Sequence, residues 1–158
     1  NLFNILRAYY NEWKFKHPLP NDFRRIAERI SGIQLQWYLT DWTQTTNKID
    51  YAITGVENKG EGSKINLLRN QLMPMPLELL VVLKNGESEL HYIPISLMRG
   101  EKANPYPIKW VVHPDWAWAH LEYSFLIDHP KEEIQTIIID PSGLMADVDK
   151  SNNYYASE

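Results

Sequence analysis

The sequence predicts an α+β chain: three N-terminal helices followed by an immunoglobulin-like antiparallel β-sandwich. Three observations carry this. Apolar residues recur at helical spacing through the first third of the chain, then alternate from Ile49 onward. Short apolar runs then follow one another closely, with turn residues between them, as the strands of a sandwich do. Asn85-Gly86 joins two of these runs and predicts a tight hairpin of type I′, which needs φ > 0 at both central residues.

The elements follow in order. Leu2, Ile5, Leu6, Tyr9 and Trp13 form one helical stripe, widened by Phe3 and Tyr10, so the first helix is expected to be buried on much of its girth. Pro18 ends it, because the residue before a proline disfavours helical geometry. Asn21 is the expected N-cap of a second helix built on Phe23, Ile26, Ala27 and Ile30, with Arg24, Arg25, Glu28 and Arg29 outward. Ser31-Gly32 stops it. Leu35, Tyr38, Leu39 and Trp42 make a third stripe. Strands are expected at 49–56, 64–70, 77–84, 89–95, 108–112, 122–126 and 134–139. The polar segment 59–63 reads as a loop, and Pro74 and Pro76 keep the approach to the third strand extended and unpaired. The domains are then 1–48 (helical), 49–143 (sandwich) and 144–158 (a C-terminal tail, loose from residue 150).

At 158 residues the chain fits one domain, or a helical piece plus a small β-domain. There is no Cys, which excludes disulfides, Cys-metal sites and a thiol nucleophile. That leaves cytosol and export both open, with export to a periplasm or cell surface the preferred reading. No apolar run reaches the ~20 residues that span a bilayer. The N-terminus, Asn1, reads as a cut end. Seven Lys/Arg face four Asp/Glu up to residue 48, and nine face sixteen beyond it. A winged-helix nucleic-acid binder has the right element order, but the acidic second part argues against it, and no nucleic-acid partner is expected.

A search for chemistry returns little. None of His17, His91, His113, His120 and His129 sits in H-E-x-x-H, the spacing that puts two zinc ligands on one helical face. His120-Leu121-Glu122 lacks the Cys pair of the zinc deaminases. Asp128-His129 has no serine elbow beside it, and Gly60-Glu61-Gly62 lacks the rest of a dinucleotide loop. Glu132 and Glu133 are adjacent and cannot face one another as an acid-base pair. Asp140, Asp147 and Asp149 lack EF-hand order, and Asp140-Pro141-Ser142-Gly143 reads as a turn. Catalytic and metal-ligating residues are therefore expected to be none. One candidate contact surface remains, formed by Trp110, Trp116 and Trp118, which could stack on sugar rings or peptide side chains. Packing of these rings under the sandwich edge is the preferred alternative.

Pro18-Leu19-Pro20-Asn21-Asp22-Phe23, Ser31-Gly32, Trp37-Tyr38-Leu39, Trp42 and Thr45-Thr46 together resemble the last helices of the catalytic domain in gluzincin zinc aminopeptidases, the membrane alanyl aminopeptidase-like metallopeptidases. Met73-Pro74-Met75-Pro76, Tyr92-Ile93-Pro94-Ile95 and Ile139-Asp140-Pro141, with Asp147 and Asn152-Asn153, are similar to the small sandwich domain that follows in many members, bacterial ones in particular. The resemblance covers about residues 2–153. It implies the C-terminal part of an enzyme that removes N-terminal residues from peptides, with zinc expected in the full-length parent and no cofactor in this part. The zinc helix, the further Glu ligand and the Gly-x-Met-Glu-Asn loop of such enzymes are not in this sequence. The chain alone is thus expected to be inactive and structural. Its partner would be the remainder of the parent chain, with peptides as the parent's substrates, and the first apolar stripe would be partly exposed or dimer-buried in isolation. The alternative is an independent peptide- or glycan-binding module using Trp110, Trp116 and Trp118. The oligomeric state is left open by both readings.

Overall fold

In the computed structural model, which describes residues 2–104 and 106–157, the chain has three helices followed by eight strands. Asn1 and Glu158, the ends of the expected helical segment and tail, lie outside the described residues. The chain divides into a helical unit, Asn1–Thr46 with Leu97–Glu101, and a sandwich unit, Asn47–Ser96 with Lys102–Glu158.

The helical unit comprises α1 (Leu2–Trp13), α2 (Pro20–Ser31) and α3 (Gln36–Gln44). Tyr9 meets Phe23 edge-on at 5.3 Å, and Arg29 bonds Glu12 at 2.7 Å, so α1 and α2 share one seam. Ile5, Ile26 and Ala27 are buried. The rest of the α1 stripe is not: Phe3 is 83% exposed, and Leu2, Leu6 and Tyr10 are exposed too. The breadth that predicted burial on most of the girth is therefore presented outward. α2 begins one residue earlier than its expected cap. Pro20 occupies the first turn, where a missing N–H costs nothing. Asp22, not Asn21, satisfies the start, accepting the Leu19 N–H at 2.8 Å. Gly32 ends α2 at φ 74 and donates its N–H to the Glu28 carbonyl, as a left-handed cap does. Arg24 and Glu28 are half-buried rather than outward, and Glu28 accepts the Leu35 N–H at 2.9 Å.

The sandwich unit holds β1 (Tyr51–Lys59), β2 (Gly62–Arg69), β3 (Leu77–Leu83), β4 (Ser88–Ile93), β5 (Lys109–Val112), β6 (Glu122–Ile127), β7 (Ile134–Ile139) and β8 (Tyr154–Ala156). One sheet runs β1-β2-β6 and the other β5-β4-β3-β7-β8. With β1, β2 and β6 opposite β3, β7 and β8, the order is that of the A-B-E and C-F-G strands of immunoglobulin-type sandwiches. Strict alternation fills the space between the sheets. Ile65 and Leu67 of β2, Phe125 and Ile127 of β6, Leu77, Leu79, Val81 and Leu83 of β3, and Ile137 and Ile139 of β7 are all buried. Each such side chain contributes about 1.5–3 kcal/mol by leaving water.

Four details differ from expectation. β5 lies parallel to β4, so the larger sheet is mixed rather than purely antiparallel. Its preceding segment, 94–108, is long enough to carry the chain back to the start of β4. Asn85-Gly86 does not make a type I′ turn. Only Gly86 has positive φ (90°), and Leu83 N–H bonds Glu87 C=O across a three-residue loop, an arrangement that needs one left-handed residue and not two. Segment 59–63 is no open loop: Lys59 pairs with Gly62, leaving Gly60 and Glu61 as a two-residue turn with positive φ at Gly60. Finally, the segment from 150 is not a loose tail. It forms a short 3₁₀ turn and β8, which pairs with β7.

Among the described glycines, Gly62 has the least room, since an added Cβ would sit 2.2 Å from the Ile127 carbonyl oxygen. Gly62→Ala should lower stability by about 2–3 kcal/mol, the cost of forcing β2 away from β6. Gly32→Ala, with open space around its Cβ, should cost only about 1–2 kcal/mol of left-handed strain. Urea unfolding of both variants checks the order, and a Gly62→Ala cost no larger than that of Gly32→Ala would contradict it.

Candidate functional site

The three tryptophans do not present one surface. Trp116 is 2% exposed, set edge-on to Tyr51 at 5.5 Å, stacked on Tyr123 at 5.1 Å, and donates its Nε1–H to the His120 carbonyl. Trp110 is half-buried and stacked on Tyr92 at 5.1 Å. Trp118 alone of the three is exposed, at 55%. It has company that the sequence did not single out. Arg69, the last inward position of β2, is 5% exposed. Its guanidinium donates to the carbonyls of Leu72 (2.7 Å) and Trp118, and its own N–H bonds the Leu121 carbonyl at 2.8 Å. The buried cation thus holds Leu72 and Trp118, and the Arg69 backbone N–H holds Leu121, three exposed apolar residues at one end of the sandwich.

The densest set of titratable side chains lies between the sheets, beside β5. Glu89 and His91 occupy alternate positions of β4 opposite Val81 and Leu79, so both point into the sandwich. Both are buried. Glu89 Oε1 accepts from Lys109 Nζ at 2.6 Å and lies 3.0 Å from His129 Nε2. Its Oε2 is 3.5 Å from His91 Nε2. His91 Nδ1 contacts His113 Nε2 at 2.9 Å, the two rings stacked at 5.1 Å with 17° between their planes. Phe125 from the facing sheet covers both, 5.6 Å from His91 and 4.2 Å from His113. The Ser63 hydroxyl donates to the His129 carbonyl, which fixes the loop that delivers His129. Burial pushes His91 down to about 4, with the neighbouring His113 adding to the shift. Burial also lowers His113. For Glu89 burial acts upward, but the hydrogen bonds from Lys109 and His129 outweigh it and hold the carboxyl below its ordinary range.

The other polar candidates are engaged in local structure. Asp140 accepts from Ser142 Oγ and Met145 N–H, and its carbonyl takes Gly143 N–H in the expected turn. Asp147 accepts the N–H groups of Tyr51 and Asp149, tying the C-terminal segment to the start of β1. Asp149 accepts from Ser151. Glu132 bonds Asn58, and Glu133 lies 3.7 Å from His129 Nδ1. His17 and His120 are exposed. Among the described residues, no group of three or more His, Asp or Glu side chains is placed to hold a metal ion, and no helix is long and apolar enough to cross a membrane. No protein-family model, curated protein or solved structure matches the sequence.

Two measurements follow from this geometry. Arg69→Met should cost about 2–4 kcal/mol, because the carbonyls of Leu72 and Trp118 lose their buried charged donor. Urea unfolding gives the number, and a loss under ~0.5 kcal/mol, the size of an ordinary surface change, would mean that the loops hold themselves. The His91 imidazole binds its proton less readily folded than unfolded. Its contribution to stability is therefore complete above its ordinary pKa of 6.5 and is lost as pH falls toward about 4. The urea midpoint should drop across that window, and a His91→Gln variant that still folds should drop less.

Proposed function

We propose that this chain is the non-catalytic C-terminal part of a gluzincin zinc aminopeptidase, an enzyme that removes N-terminal residues from peptides. In this reading α1–α3 complete the helical wall of the catalytic domain, and the sandwich is a neighbouring domain that steadies it. The observation that carries the reading is the outward face of α1. Leu2, Phe3, Leu6 and Tyr10 stand exposed on a well-formed helix whose opposite side is already packed on α2. A face that apolar belongs against another protein surface. The ordered phrases of the sequence add support. Pro20 and Asp22 start α2, Ser31-Gly32 ends it, and the Tyr51 hydroxyl clamps the Met73–Pro76 segment by bonding both N–H and C=O of Met75. The zinc chemistry would lie in the remainder of the parent chain, and this part would supply shape and stability to it.

The competing reading, a free-standing peptide- or glycan-binding module, keeps only Trp118 of its three aromatic residues as an exposed contact.

The intact mass and metal content of the native polypeptide that contains this sequence test the proposal. The expected result is a chain several times larger than 18.6 kDa, carrying zinc and hydrolysing aminoacyl anilides until a chelator is added. A native polypeptide of this size alone, or a larger one without zinc-dependent aminopeptidase activity, overturns it. Leu6→Ser reports on the face itself. In the isolated chain it should change stability by less than ~0.5 kcal/mol, as exposed positions do, whereas in the larger polypeptide it should cost about 1–3 kcal/mol.

A further inference from the structure

We propose that the His91–His113 pair is an acid-operated latch that holds β5 on the edge of the five-stranded sheet and releases it when both imidazoles are protonated. The inference is independent of any enzymatic role and rests on the geometry of one edge. β5 is four residues long and, among the described residues, pairs with β4 alone. Its attachment has four parts: the short parallel ladder, the Lys109–Glu89 ion pair at one end, the Trp110 ring stacked on Tyr92, and His113 at the other. His113 is anchored twice, by its N–H to the Tyr92 carbonyl at 2.9 Å and by its ring to His91.

The facing nitrogens, His91 Nδ1 and His113 Nε2, are 2.9 Å apart, so one proton between them serves both, one nitrogen donating and the other accepting. If each nitrogen carried a proton, two N–H groups would point at one another and two cations would sit side by side beneath Phe125, one of them on the buried His91 and the other on the half-buried His113. The contact then has to open. The groups that face the pair set how readily this happens. Glu89 favours a charge on His91, while Lys109 and His129 oppose it. Glu133 lies on the far side of His129, and Asp128 and Glu87 act on Lys109. From β3 and β6 the pair meets the apolar side chains of Leu79 and Phe125. One carboxylate cannot offset two added imidazolium charges while it also answers Lys109 and His129. Of the parts involved, β5 has the least to hold it, because β4 is locked by β3 along its other side over six residue pairs. Release of β5 would uncover the N–H and C=O groups of β4 that now pair with it, a free edge able to accept an extended segment.

Amide hydrogen exchange at about pH 7.5 and about pH 5, corrected for the intrinsic pH dependence of exchange, tests the latch. In the wild-type chain the protection of β5 and of His113 should fall at least about tenfold at the lower pH, while β3 and β7 stay within about twofold. His113→Gln keeps a side-chain N–H toward His91 but cannot take a proton, and it should abolish the fall. If that variant does not fold, NMR titration of the two histidine rings in the wild type decides instead, since their protonation must coincide with the loss of β5 protection. Equal protection of β5 at both pH values overturns the proposal. So does a loss shared evenly by β3, β5 and β7, or a fall that persists in His113→Gln.

Discussion

β3 is the strand on which the sandwich depends. It is paired on both sides, by β4 and by β7, and turns Leu77, Leu79, Val81 and Leu83 inward without a break in the alternation. All four are essentially removed from water. Every other strand of the larger sheet is placed by reference to it, and the facing sheet packs β2 and β6 against the surface it lines. A one-residue slip of β3 would turn all four side chains outward, and this fixes the register of its neighbours as well as its own.

The same alternation that makes β3 apolar makes β4 mixed. Leu90 and Tyr92 go to one face, and Glu89 and His91 to the other, which is the inside. A buried carboxylate is costly unless paired, and here Lys109 and His129 pair it from one side while the imidazole chain closes the other. The cluster sits beside β5, at the sheet edge, where Lys109 can keep its ammonium in water. The polar interior is therefore an edge phenomenon, and the centre of the sandwich remains apolar.

Most of the fold could be read in the residues. The change of period at Ile49, the Ser31-Gly32 stop and seven of the eight strands follow from local pattern, because alternation and caps are encoded over a few neighbours. What could not be read depends on distant partners. β8 has no strong pattern of its own and exists because β7 offers it an edge. The parallel β4–β5 pairing is decided by where the 94–108 segment leads the chain. Trp116 and Trp118 look alike in sequence, yet one is core and the other surface, since Tyr51, against which Trp116 packs, lies far away along the chain. For the cluster, the Glu89-Leu90-His91 alternation was the one local signal, and nothing in it foretold His113 or His129.

The bonds that tie Asp147 to the N–H of Tyr51 and Asn152 to Asp50 join residues roughly a hundred positions apart. The seam of α1 and α2, by contrast, links neighbours in the chain, Arg29 reaching back 17 residues to Glu12. Closing a long loop must precede any gain from the contacts that close it, so topology separates the two units in time. The long closures of the sandwich make it the slower of the two to assemble. A nascent chain therefore cannot close the sandwich until its last residues are made, because β1 is tied to the C-terminal segment through Asp147 and Asn152.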